Sequence, residues 1–330
     1  MSGAVGLRLA YRPSGAQEER TGTLALARYG LPPPPAAAAA VAPEVGVCMP
    51  VLAGPEALIE HWSSTEPVRY GQCGAVRLAH TIDLTFGAIE AAEPPDGAQR
   101  TGLESATEWA YRQVHAALAA SGHEHLVRVW NYLPRINLET HGLERYRQFN
   151  IARQRALIAC GRPVRGNVPA ASALGSAEGP LVVYFVAART APRCLENPRQ
   201  VSAYHYPREY GERSPSFSRA TLIEHAGSEA LFISGTASIV GHRTLHAGDA
   251  AAQTRETLAN IEALLGELPG FALEGLAYKI YVRHRADLET IRREVDAALG
   301  AGPARVYLQA EVCRADLDVE IEAAGGCGGP

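Results

Sequence analysis

The chain has six cysteines, Cys48, Cys73, Cys160, Cys194, Cys313 and Cys327, but no C-x-x-C pair. That removes the spacing of a zinc ribbon or a thioredoxin-like redox motif. With 330 residues the chain needs no disulfide staples, so reduced thiols are expected. It has no apolar run long enough to span a bilayer and no charged-plus-apolar leader. These absences predict a cytoplasmic protein with no membrane partner. The net charge of −4, with no local Lys/Arg run, argues against a nucleic-acid partner. Phosphate-cradling glycine loops are missing, and so is a serine nucleophile elbow. His242 and His246 stand four apart in GHRTLHAGD. Gly241 and Gly248 argue for a loop there, and no third ligand is apparent, so neither a metal nor another cofactor is expected.

What is present is ordinary globular material, 47% apolar and 20% charged. The clearest pattern lies in residues 217–323. Residues 231–239 are rich in β-branched and small residues and read as a strand broken by Gly235. A glycine inside a strand often marks close approach of another group. Residues 249–266 read as a helix, with Asp249 as N-cap, Leu258, Ile261 and Leu265 at helical spacing, and Gly266 as terminator. A strand over 276–283, a helix over 287–299 and strands over 306–313 and 317–323 follow. In the last, Asp318, Glu320 and Glu322 alternate with Leu317, Val319 and Ile321. This order suits one sheet with two helices on one face, its other face packed on a sheet from the first half.

The first half is less regular. Short strands are expected over 6–11, 58–62, 75–80, 83–88 and 125–132. Helices are expected over 101–120 and 142–159, and a buried strand over 181–189. Residues 32–42, PPPPAAAAAVA, read as a linker without chemistry, and 325–330 as a loose tail. Residues 196–215 are Pro- and Tyr-rich with little period, and a loop of that length is usually functional or disordered.

FISG, DAAAQTRETLANIEALL, YKIYVR, PAR and VEIEA occur in the order seen in the RidA/YjgF family. That family is shorter, trimeric and binds ligands between subunits. A wider resemblance rests on VRVWNYLPRIN, GLERYRQFNIARQRAL, VPAASALGS, ENPRQVSAYHYPREYGERSPSFSRAT, SGTASIVGHRT and CRADLDVEIE. These blocks resemble the chorismatases, in which RidA-like units are fused in one chain and chorismate loses its enolpyruvyl group as pyruvate. The resemblance implies an α+β fold of RidA/YjgF-like units arranged as a pseudo-trimer with helices on the outer face. It implies a degenerate unit with a helical insertion over 1–195 and a catalytic unit over 196–330. With those interfaces internal, a monomer is expected.

Chorismate carries two carboxylates and an enol ether. Cleavage needs an acid protonated near neutral pH, cations for the carboxylates and control of water. Glu320 in VEIE matches the family's acid/base glutamate, although by pattern alone it reads as a solvated strand carboxylate. Glu322 is the fallback, with a structural role favoured. Arg219 in FSRAT is the first carboxylate clamp, and Tyr206, Tyr210 and Arg213 are candidates for the other. Lys279 or Arg283 can add charge. Arg305 of PAR matches the RidA ligand arginine and is kept in second rank. Trp130, Asn131 and Tyr132 are expected in core and pocket walls. SGTAS with Gly235, and Cys313 before R-A-D-L, resemble the members that make 3-hydroxybenzoate, some with 4-hydroxybenzoate beside it. Cys313 is read as shaping the pocket, since no activating base stands near it. Alternatives are a chorismate hydrolase giving a dihydroxycyclohexadienoate, and a RidA-like metabolite-binding protein or imine deaminase.

Overall fold

The computed structural model of the chain describes residues 6–15, 22–33 and 42–327. Three sheets follow one another along the sequence. The first holds β1 (Leu7–Pro13), β2 (Thr23–Gly30), β3 (Glu44–Cys48) and β4 (Leu58–Ser64), in the order β1-β4-β2-β3. The second begins with β5 (Arg69–Cys73), β6 (Val76–His80) and β7 (Leu84–Ala91), followed by helix α1 (Gly102–Ser121) and β8 (His125–Pro134). A small ribbon, β9 (Glu139–Thr140) and β10 (Leu143–Glu144), leads into α2 (Arg145–Ala159), then β11 (Ala170–Ser176) and β12 (Leu181–Ala188). Its sheet order is β11-β8-β12-β7-β6-β5.

The third sheet takes β13 (Arg193–Leu195), β14 (Ala220–His225) and β15 (Ser228–Ala237). After the ribbon of β16 (Ile239–Val240) and β17 (Arg243–Thr244) come α3 (Ala250–Leu265), β18 (Leu276–Val282), α4 (Leu288–Leu299), β19 (Arg305–Gln309) and β20 (Val319–Gly325). The order is β13-β14-β15-β20-β18-β19.

Local signals explain the helices. Thr101 and Glu104 form a capping box at the start of α1, and Gly122 ends it at φ 71°. Asp249 accepts from the Ala252 amide and caps α3, as expected. Each sheet has one parallel pair at an edge: β2 with β3, β8 with β11 and β18 with β19. Parallel neighbours need a long crossover, and α2 and α4 supply it in the second and third sheets. In the first sheet residues 31–43 make the connection. Most of the expected linker lies at 34–41, outside the described residues.

All three sheets turn a face to one core. Trp62 of the first sheet sits within 6.0 Å, ring to ring, of Phe86 and Trp130 of the second and Phe232 of the third. The second and third sheets pack helices on their other faces. This is the α+β pseudo-trimer that the family resemblance implies. The strands that were not anticipated include β2, β3, β5, β11 and β13. Every residue of β2 is buried, so no alternation marks it.

The expected strand over 306–313 is corrected: β19 stops at Gln309. Beyond it, Arg283 gathers the carbonyls of Val312, Arg314 and Leu317. Those bonds hold residues 312–317 as a loop outside the sheet. The expected tail is also shorter, since Gly325 belongs to β20 and 328–330 lie outside the described residues. No described helix is long and apolar enough to cross a membrane.

Candidate active site

Where the second and third sheets meet, a cavity of about 380 Å³ opens under the loop that carries Tyr206 and Tyr210. Glu320 of β20 lines it, with Gly235 of β15, Arg219, Cys313 and both tyrosines. The structure therefore brings together six of the ten site residues expected from the sequence.

Glu320 is buried. Loss of water, and then the nearby Glu322 charge, push its carboxyl up to about 8, against the pull of Arg128, Arg283 and Arg219. A carboxyl so placed holds its proton at neutral pH and can donate it. Gly235 makes the space for it. A Cβ at Gly235 would lie 1.8 Å from Glu320 Oε1, so any side chain there displaces the carboxyl. Burial, and next Glu320, push the Cys313 thiol up to about 12. Cys313 is therefore a neutral wall, not a thiolate.

Arg219 is buried and donates through Nη2 to Tyr206 Oη at 2.8 Å and to the Val201 carbonyl at 2.8 Å. Its Nε has no partner. Arg314 lies in the loop that Arg283 shapes. Its Nη1 donates to the His242 carbonyl and to Thr244 Oγ1, while its guanidinium stacks 3.9 Å from the Tyr210 ring centroid. Its Nη2 is buried without a partner. Two arginines that line the cavity thus each keep a buried N–H unsatisfied by the protein, and buried donors seek an acceptor.

Four expected residues are elsewhere. Arg213 follows Gly211, which takes φ 139°, and points outward, 3.7 Å from Glu212. Arg283 spends its guanidinium on backbone carbonyls and Asn137 Oδ1. Arg305 binds Asp296 at 2.8 Å and the Gly300 carbonyl at the end of α4. Lys279, the only lysine in the chain, lies in the core between the sheets. Its Nζ is 2.6 Å from Glu60 Oε2 and 2.7 Å from Glu322 Oε1, ringed by the hydroxyls of Tyr29, Tyr132 and Tyr184. Burial would lower the Lys279 pKa; the two carboxylates outweigh it and raise it.

Glu322 is structural in this setting. Burial opposes its charge, but Lys279 and Arg128 hold its carboxyl below the ordinary value. It also accepts from Trp130 Nε1 at 2.7 Å. Trp130, Asn131 and Tyr132 are all buried.

Sequence reasoning missed Arg314 and Tyr146, which line the cavity. Arg314 was in view in CRADL, where attention went to its cysteine. Tyr146 belongs to α2, which buries Arg145, Gln148, Asn150 and Arg153 beside Phe149, Ala152, Ala156 and Leu157. Buried polar side chains on an arginine-rich helix are a signal of a lined site.

Residues 60–187 match the family described as chorismatase FkbO/Hyg5-like, N-terminal. The chain is 37% identical over 280 residues to a chorismatase of Streptomyces rapamycinicus, covering 81% of this chain and 82% of that one. It is 35% identical over 295 residues to a 3-hydroxybenzoate synthase of Streptomyces hygroscopicus, covering 85% and 84%. A solved chorismatase structure superposes with a TM-score of 0.88 at 32% identity, covering 97% of this chain and 98% of that one.

Proposed function

The chain belongs to the chorismatase family and is an enzyme of that type, and on that premise we propose that it converts chorismate to 3-hydroxybenzoate and pyruvate. The observation that carries the reading is Glu320, a buried carboxyl with its pKa raised to about 8, facing a cavity with two unsatisfied guanidinium donors.

Glu320 gives its proton to the enolpyruvyl methylene, which becomes a methyl group. The ether bond to the ring breaks, and its oxygen leaves as the pyruvate carbonyl. The neighbouring ring hydroxyl oxygen attacks the vacated ring carbon. Its old carbon–oxygen bond then opens, a ring C–H proton returns to the carboxylate, and the ring becomes aromatic. The two products together contain the atoms of chorismate, so no water is consumed. Arg219 Nε and Arg314 Nη2 are the donors for the substrate's two carboxylates. Tyr146, Tyr206 and Tyr210 wall the cavity, which favours the intramolecular route over attack by solvent. A protein of this reading works on a small molecule, as a monomer, without nucleic acid or membrane.

The test is to incubate the protein with chorismate in ¹⁸O-labelled water and separate the products by chromatography. We expect 3-hydroxybenzoate and pyruvate in equal amounts, with no label in the hydroxybenzoate. Any 4-hydroxybenzoate places the chain among dual-product members. A non-aromatic diol would show a hydrolase, with solvent oxygen in the diol or in the pyruvate. Glu320→Gln should lose about a hundredfold or more in kcat, the usual scale of a general acid. Wild-type turnover in that variant would remove Glu320 as the acid.

A further inference from the structure

Ser172 lies on β11, an edge strand of the second sheet, and faces the third. Its hydroxyl donates to Glu322 Oε2 at 2.6 Å and accepts from the Gly235 amide at 3.2 Å. It also accepts from Arg128 Nη2, which in turn binds Glu322 Oε2 at 2.7 Å. A serine hydroxyl offers one donor and two acceptor sites, and all three are used.

What those bonds hold is a β-bulge. Ile233 pairs with Ala323, and the next pair is Thr236 with Ile321. Ser234 and Gly235 therefore stand opposite the single residue Glu322. Such a bulge bends a strand and re-aims its neighbours. Here it lays the bare Cα of Gly235 against the Glu320 carboxyl. The adjacent Ser234 is also tied across the sheets: it accepts from the Ala171 amide at 2.9 Å and donates to the Ser218 carbonyl at 2.6 Å.

We propose that Ser172 is a positioning residue for the reaction: its hydroxyl joins the Gly235 bulge to the Glu322 carboxylate and so fixes the seat of the Glu320 carboxyl. The inference rests on Glu320 being the acid. Two consequences follow. A bulge free to move shifts the acid relative to the substrate. It also opens the seat to water, which relieves the burial that keeps the acid protonated. The groups facing Glu320 are Glu322 on its own strand, Arg128 from β8, Arg219 ahead of β14 and Arg283 after β18. Tyr146 from α2, and Cys313 and Arg314 from the loop before β20, line the same cavity. Ser172→Ala removes no charged group; it takes one donor from Glu322, whose larger supports, Lys279 and Arg128, remain, so a pH shift in that variant reports the seat.

The experiment measures kcat/KM for chorismate against pH in Ser172→Ala, Ser172→Thr and wild type, with thermal melting in parallel. Activity needs the protonated acid, so it declines on the alkaline side. In Ser172→Ala we expect kcat/KM to fall about tenfold to a hundredfold, as misplacement of a reacting group does. The alkaline decline should begin about one pH unit lower. Ser172→Thr keeps the hydroxyl and should restore the wild-type limb. A lower rate with an unmoved limb, or no change at all, overturns the inference. If Ser172→Ala does not fold, Ser172→Cys, close in size but a weak hydrogen-bonding group, must show the same shift. Loss of turnover in Glu320→Gln with no limb shift at Ser172 rejects only the role of Ser172. Retained turnover in Glu320→Gln rejects the acid itself.

Discussion

Glu320 and Glu322 stand two residues apart on one strand, both buried and on the same face. Their surroundings make them opposites. Glu322 meets Lys279, Arg128, Trp130 and Ser172, each within bonding distance. Glu320 faces a cavity, a glycine and a neutral thiol. The first carboxyl is held as an anion; the second is pushed up to about 8, in part by the charge of the first. Burial by itself therefore does not define a proton donor. What separates a structural carboxylate from an acid is whether cations and donors compensate the burial.

The largest effect should come from breaking the compensated member. Glu322→Gln leaves Arg128 without its carboxylate and Lys279 with Glu60 alone. Removing one partner of a buried ion pair costs about 3–5 kcal/mol, so urea denaturation should show a loss of that order. An unchanged midpoint would mean that Lys279 and Glu60 suffice and that Glu322 is not the structural partner.

The next effect is on the uncompensated member. Gly235→Ala puts a methyl group where Glu320 Oε1 lies. We expect kcat to fall about a hundredfold, since displacement of a reacting group by about 1 Å has that cost, with a much smaller change in stability. Steady-state kinetics with thermal melting separates the two. Equal activity in Gly235→Ala would show that the acid has room elsewhere.

Titration distinguishes the pair without mutation. The Glu320 pKa is raised in the folded state, to about 8 from an ordinary 4.5. An active acid must be protonated, so kcat/KM should fall about tenfold per unit above pH 8. The same shift is linked to stability. Between about 4.5 and 8 the unfolded chain releases this proton while the folded chain keeps it. The contribution of Glu320 is thus fully present below 4.5 and is lost progressively up to 8. Glu322, with a lowered pKa, contributes above the ordinary carboxylate range and loses that contribution as acid protonates it in the fold. A profile flat from pH 7 to 10 would contradict the assignment of Glu320.

Much of this was legible in the sequence. The alternation of 317–323 put Glu320 and Glu322 on one face, and Gly235 in a strand announced a close approach. Tyr146 on α2 was harder, because the apolar period of that helix marks its core face, Phe149, Ala152 and Ala156, and not the residue that lines the cavity. Lys279 was misplaced for a related reason. It lies on a strand whose face meets Glu60, more than two hundred residues away in sequence. Pairings of that range are set by tertiary packing, not by local pattern.

The smallest effect tests the same contrast among the arginines. Arg314 and Arg305 lie nine residues apart, the first in the loop that Arg283 shapes and the second at the start of β19. Arg305 binds Asp296 and the Gly300 carbonyl with its two terminal nitrogens and the Pro303 carbonyl with Nε. It sits at the C-terminal end of α4, where a cation meets the helix carbonyls favourably. Arg314 lines the same cavity as Glu320 and keeps one buried N–H without a partner. Arg314→Ala should raise KM for chorismate about tenfold or more, the scale of a lost charged hydrogen bond. Arg305→Ala should leave kcat and KM within about twofold while costing about 0.5–1 kcal/mol of stability, the scale of a helix-end charge. The comparison turns on unspent donors, so its sharpest reversal would be a KM that rises in Arg305→Ala and stays level in Arg314→Ala. That result would raise Arg305 of the PAR motif from second rank to carboxylate clamp, and the cavity around Glu320 would lose one of its two cations.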